Sequence, residues 1–152
     1  MSTFDHYFGR ILESAATEAT ADGSAAVEAQ HLLLAIAGEG SPVLAAAGLD
    51  QPALRRALDQ EFARSLAAAG VRLPDGLPHA TPDPERTPPL GASARAAIER
   101  SFQLVQRKRD MRPGHMLVGV IQAELGTVPR ALALAGVDRA ALRERAAEEV
   151  RA

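Results

Sequence analysis

Four imidazoles, His6, His31, His79 and His115, are the groups in this sequence best suited to acid–base or metal chemistry near neutral pH. A zinc-type site on a helix needs a second ligand one turn away. Neither His31 nor His115 has a histidine or carboxylate three or four positions further on, and His6 and His79 stand in unrelated contexts. The expected role of His31 and His115 is therefore structural: to satisfy backbone groups at the start of a buried helix. Cysteine is absent, which removes disulfides, thiolate metal sites and thiol nucleophiles together. No Gly-x-Ser-x-Gly turn is present, and Ser, His and Asp occur in no order that reads as a nucleophilic triad. A G-x-x-x-x-G-K-[ST] phosphate loop is also missing, so the chain carries no ATPase motor. The expectation is a protein that is not an enzyme and holds no cofactor and no metal.

Both helical histidines open a short apolar run: Gln30-His31-Leu32-Leu33-Leu34-Ala35-Ile36 and Gly114-His115-Met116-Leu117-Val118-Gly119-Val120. Each run is followed by a Gly-Φ-Asp triplet, Gly48-Leu49-Asp50 and Gly136-Val137-Asp138, and then by a leucine and an arginine in the same register, Leu54-Arg55 and Leu142-Arg143. One unit written twice explains this. The spacing from histidine to glycine is 17 residues in the first copy and 21 in the second, a difference of loop length.

The elements that position these residues read as helices throughout. Phe4, Phe8, Ile11, Leu12, Ala15 and Ala19 fall in steps of three and four, predicting an amphipathic helix that ends near Asp22-Gly23. Glu28 to Ala37 is a short, largely buried helix closed by Gly38 and Gly40. Ser41-Pro42 starts a third helix ending before Gly48, and Asp50 caps a fourth that ends near Gly70. On the fourth, Leu54, Leu58, Phe62 and Leu66 are expected inward, with Arg55, Arg56, Asp59 and Glu61 outward. The second half repeats the plan over Ala94–Arg107, Pro113–Ala123, Thr127 to before Gly136, and Asp138 onward with Leu142, Ala146 and Val150 inward. Between them, Val71–Leu90 holds six of the ten prolines and reads as an extended linker. The expected architecture is all-α: eight helices in two four-helix repeats related by approximate two-fold symmetry. It forms a single domain over 1–152, with repeat one at about 4–70, the linker at about 71–91 and repeat two at about 92–151.

Composition supports a helical body: 47% of residues are apolar and only five are aromatic, so the core is built from Ala, Leu, Val and Ile. A formal charge of −2 offers no general attraction to nucleic acid or an anionic membrane, and no apolar run approaches the roughly 20 residues of a membrane span. With no signal peptide at the N-terminus, cytoplasmic residence is expected. The one basic cluster, Arg107-Lys108-Arg109 with Arg112 and the neighbouring Met111, reads as a solvated helix end, or as a contact for an acidic partner.

The duplicated (E/Q)-H-L-L helix, the Gly-Φ-Asp start of each fourth helix and the proline-rich join together resemble the Clp N-terminal repeat domain, which precedes the ATPase modules of ClpA- and ClpC-type unfoldases. The resemblance runs from about Phe4 to Val150. Met1 and the early start of the first helix look like a natural N-terminus, and the chain is either a free-standing Clp-N protein or a domain of an unfoldase. The resemblance implies a monomeric docking platform for a Clp-type unfoldase, its adaptors or substrates, or peptide-like ligands. A decoy that sequesters toxins or peptide natural products aimed at the unfoldase is the alternative within the family. A helical DNA-binding regulator is the alternative outside it, which the net charge disfavours.

In ClpC-type members a glutamate before each histidine helps hold a phosphorylated arginine; here those positions are Gln30 and Gly114. The resemblance therefore does not carry phosphoarginine recognition over. Where ClpC-type domains show aromatic residues on a surface between the N-terminus and the linker end, this chain has Met1 and Leu90, with Phe4 beside them. Met1, Phe4, Gln30, Leu90 and Gly114 are thus the candidate partner-binding residues.

Overall fold

The computed structural model describes residues 1–72 and 85–151. The prolines of the linker at positions 74, 78, 82 and 84, and His79, lie outside the described residues. Eight α-helices follow in order: α1 Thr3–Ala21, α2 Ala29–Glu39, α3 Pro42–Ala46, α4 Gln51–Ala68, α5 Ala92–Gln103, α6 Pro113–Ile121, α7 Thr127–Leu134 and α8 Arg139–Arg151. A single 3₁₀ turn, Lys108–Asp110, stands between α5 and α6. The described residues contain no strand; one isolated parallel bridge joins Val27 to Leu90.

The two histidine helices, α2 and α6, lie at the centre and pack on one another, with α1 against α2 and α5 against α6. Leu32, Leu33, Ile36, Met116, Leu117 and Ile121 are fully buried there. Small residues on the flanking helices, Ala15, Ala19, Ala94 and Ala97, have no exposed surface and let the helix axes approach closely.

The repeat is visible in small details. Gly48 and Gly136 both take the left-handed conformation, with φ of 73° and 74°, which costs a glycine little after a short helix. In each copy the next residue returns its N–H to the preceding helix: Leu49 donates to the Leu44 carbonyl at 2.8 Å and Val137 to the Leu132 carbonyl at 3.0 Å. Asp50 and Asp138 cap α4 and α8 by accepting from the N–H groups of Ala53 (2.9 Å) and Ala141 (3.1 Å). The first polar residue of α4 and of α8 also reaches back to a carbonyl of a histidine helix, mid-helix in α2 and at the last residue of α6. Gln51 Nε2 donates to the Leu34 carbonyl at 2.8 Å, and Arg139 Nη1 to that of Ile121 at 3.2 Å. The longer spacing in the second copy comes from the connection between α6 and α7 and from α7 itself, which has 8 residues where α3 has 5.

The last two helices of each half cross over. α4 packs chiefly on α7 and α3 on α8, so the halves interlock. This corrects one expectation for α4: its inner face is Leu54, Ala57 and Glu61, while Phe62 is 55% exposed and Leu66 only half-buried. Glu61, expected in solvent, is 5% exposed. It points inward because α7 brings it a cation: Arg130 Nε donates to Glu61 Oε1 at 2.9 Å, and Ser65 Oγ donates to the same oxygen at 2.7 Å. A bidentate pair from Arg55 to Glu18, at 2.7 and 2.6 Å, ties α4 to α1 as well.

Candidate functional site

Each histidine is the third residue of its helix, where its ring closes the first turn. The Glu28 N–H donates to His31 Nδ1 at 2.9 Å, and the Arg112 N–H donates to His115 Nδ1 at 2.9 Å. This is the reach-back half of a capping box, performed by imidazole in place of glutamate. Because Nδ1 accepts, the His31 proton sits on Nε2, which donates to Asp22 Oδ2 at 2.7 Å. Burial raises the Asp22 pKa, but hydrogen bonds from His31 and Ser24 outweigh it, and the carboxyl titrates below its usual range. His115 is pushed below the ordinary histidine value by burial and by the nearby Arg112 cation. Among the described residues no group of three or more His, Asp or Glu is arranged to hold a metal ion.

The residues one place before the histidines have different surroundings. Gln30 is half-buried and lines a cavity of about 330 Å³ between the start of α2, the outer face of α5 and the α6–α7 connection. Gly114 is buried. A side chain added there would run into Val150 at the end of α8, so this position is a helix-packing contact. The glycine is what lets α8 seat on the start of α6.

Phe4 and Leu90 fall at another place, where the side chains of α1 and α5 meet at Phe102, while Met1 stands in solvent ahead of α1. Met1 is 92% exposed, ahead of a capping box in which Ser2 Oγ accepts from the Asp5 N–H at 3.1 Å and Asp5 Oδ2 from the Ser2 N–H at 3.0 Å. The Ser2 N–H and Lys108 hold the Asp5 carboxyl down at about 2. Phe4 is buried in a ring cluster, with centroids 5.9 Å from Phe8 and 6.1 Å from Phe102. Phe8 meets Phe102 edge to face at 5.8 Å. Phe102 also forms, with Leu90 and Ile98, the apolar floor of an open groove of about 530 Å³ rimmed by Arg95 and Glu99.

Leu90 is placed by its backbone. The Val27 N–H donates to the Pro89 carbonyl at 2.8 Å and the Gly91 N–H to the Val27 carbonyl at 2.7 Å, while Arg95 Nη2 donates to the Leu90 carbonyl at 2.7 Å. The end of the linker is thus pinned to the α1–α2 connection. Sequence reasoning named Leu90 and Phe4 but did not single out Ile98, Phe102, Arg100 or Arg130 as surface formers. For the first two, the signal was their place on the α5 apolar stripe, a stripe wider than the core beneath it covers.

The arrangement offers an apolar groove and a second cavity of mixed apolar and polar lining, each large enough for a side chain or short peptide segment. No helix among the described residues is long and apolar enough to cross a membrane. The family model described as the Clp repeat N-terminal domain matches residues 3–111. The solved N-terminal domain of the caseinolytic-protease-associated chaperone ClpD from Arabidopsis thaliana is similar in structure, with a TM-score of 0.69 at 20% identity. The match covers 99% of this chain and 98% of that one. No curated protein matches the chain.

Proposed function

Since the chain belongs to the family of Clp repeat N-terminal domains, we propose that it is a non-catalytic binding module, which recruits or sequesters protein or peptide ligands for an ATP-dependent Clp protease in the cytoplasm. The observation that carries this reading is the open groove floored by Leu90, Ile98 and Phe102. An apolar floor with one arginine and one glutamate at its rim suits an extended peptide with an apolar side chain, and has no pair of groups poised for proton transfer. Phosphoarginine is not part of the reading. Gln30 brings no charge, and Gly114 is covered by Val150.

The test is functional. Purified chain is added to a Clp unfoldase–protease assay degrading an unfolded protein, alongside the variant Ile98→Asp. The expected result is that the chain alters the degradation rate and the variant, folded by circular dichroism, does so much less. Equal effects from both proteins, or none from either, would overturn the proposal.

A further inference from the structure

The cavity beside Gln30 is asymmetric in a way the duplication does not require. Its counterpart at Gly114 is filled by the end of α8, whereas α4 leans away onto α7 and leaves the Gln30 end open. Two guanidinium groups line that opening. Arg100 is fixed by its Nε, which donates to the Gly119 carbonyl at 2.9 Å, and Arg130 by its Nε on Glu61 at 2.9 Å. The Nη groups of both make no hydrogen bond among the described residues. The one carboxylate in the lining, Glu28, is drawn to the start of α5, where it accepts from the Ser93 hydroxyl. The connection that lengthens the second repeat adds Leu125, 90% exposed at the cavity rim.

From this geometry we propose that the cavity is a single site, one per chain, for an anionic peptide side chain, carboxylate or phosphate, with an aliphatic residue next to it. Two arginines held at their Nε atoms present preorganised Nη–H donors to the anion, in the manner by which guanidinium groups take carboxylates and phosphates. Uncharged Gln30 adds a hydrogen-bonding amide without repelling it. Leu125, which buries nothing within its own chain, covers the aliphatic neighbour. The proposal rests on the reading of the chain as a peptide-binding module and names the ligand class of a second surface on it.

Fluorescence anisotropy of labelled peptides differing only at two positions tests it: Glu-Leu, phosphoserine-Leu, Gln-Leu and Glu-Asn. The charged Leu peptides are expected to bind with one-to-one stoichiometry, about ten- to a hundredfold more tightly than Gln-Leu, and less tightly as salt rises. The tighter of the two tells carboxylate from phosphate. Arg100→Gln and Arg130→Gln each weaken binding about tenfold. Leu125→Asn, a change at a solvated position that leaves the fold intact, abolishes the preference for Leu over Asn while keeping that for Glu over Gln. Charged and uncharged peptides binding alike, two ligands per chain, or an unchanged Leu preference in Leu125→Asn would each overturn the proposal. The same samples are assayed with the unfoldase–protease. An effect there that depends on Ile98, without selective peptide binding, refutes this site and leaves the module reading standing.

Discussion

His31 has both ring nitrogens engaged in a place without solvent, so removing the ring strands the Glu28 N–H and deprives Asp22 of one of its donors. His31→Ala is expected to lower stability by about 1–3 kcal/mol, read from urea or thermal unfolding, with no change in metal content. The pH dependence follows from the direction of the shifts. The folded pKa of His115 lies below its unfolded value, so its contribution to stability is complete above about pH 6.5 and is lost as pH falls through the folded value. Asp22, also lowered, has the same sign, and its contribution is lost further down, below the usual carboxylate range. The melting temperature should therefore fall in two stages on acidification, and in His115→Gln the first stage should be missing. Gly114 gives a third test at this scale. Gly114→Ala should destabilise by about 1–3 kcal/mol through overpacking against Val150, and Val150→Ala in the same chain should recover part of the loss. The two histidines were legible in the sequence because a cap is a local device within four residues. That Gly114 is a packing contact was not, since the atom that fills its space comes from the far end of α8.

At the level of helices, the start and stop signals read well: Ser41-Pro42, Asp50, Asp138 and the left-handed Gly48 and Gly136 stand at the ends they announce. The face of α4 did not. Periodicity alone placed Phe62 inside and Glu61 outside, because apolar residues every four positions usually mark the buried stripe. The partner decided otherwise: α7 supplies Arg130, and a buried carboxylate that receives a guanidinium and a hydroxyl becomes tolerable. Arg130→Ala should cost about 1–3 kcal/mol, because it leaves Glu61 buried with only Ser65. Glu61→Met added to Arg130→Ala should restore much of that loss, since an apolar side chain suits the vacated contact. Chemical denaturation of the single and double variants measures both.

For the molecule as a whole, the crossing of α3 onto α8 and of α4 onto α7 means that each half covers part of the other's last helices, although α8 also seats on α6 of its own half. Fragments 1–72 and 85–152 expressed separately should each have little stable helix, and mixing them should regain it; circular dichroism before and after mixing checks this. A fragment that folds alone would show that the crossing is dispensable. Sequence reasoning found the duplication, the all-helical class and the helix order, all of which are written in local signals. It did not find the exchange, because α4 and α7 share no pattern that names them as partners.

The bridge between Val27 and Leu90 has a further consequence, for how such a surface can change over generations. The chain at Leu90 is held by hydrogen bonds from and to its neighbours' main-chain atoms, together with Arg95 on its own carbonyl. None of these depends on which side chain position 90 carries. The groove's wall can accordingly be resurfaced by one substitution at a time, with the helices left as they are. Selection for a new ligand at that position then works against only what the half-buried Leu90 side chain packs on, and not against the main-chain bonds that set the groove's edge.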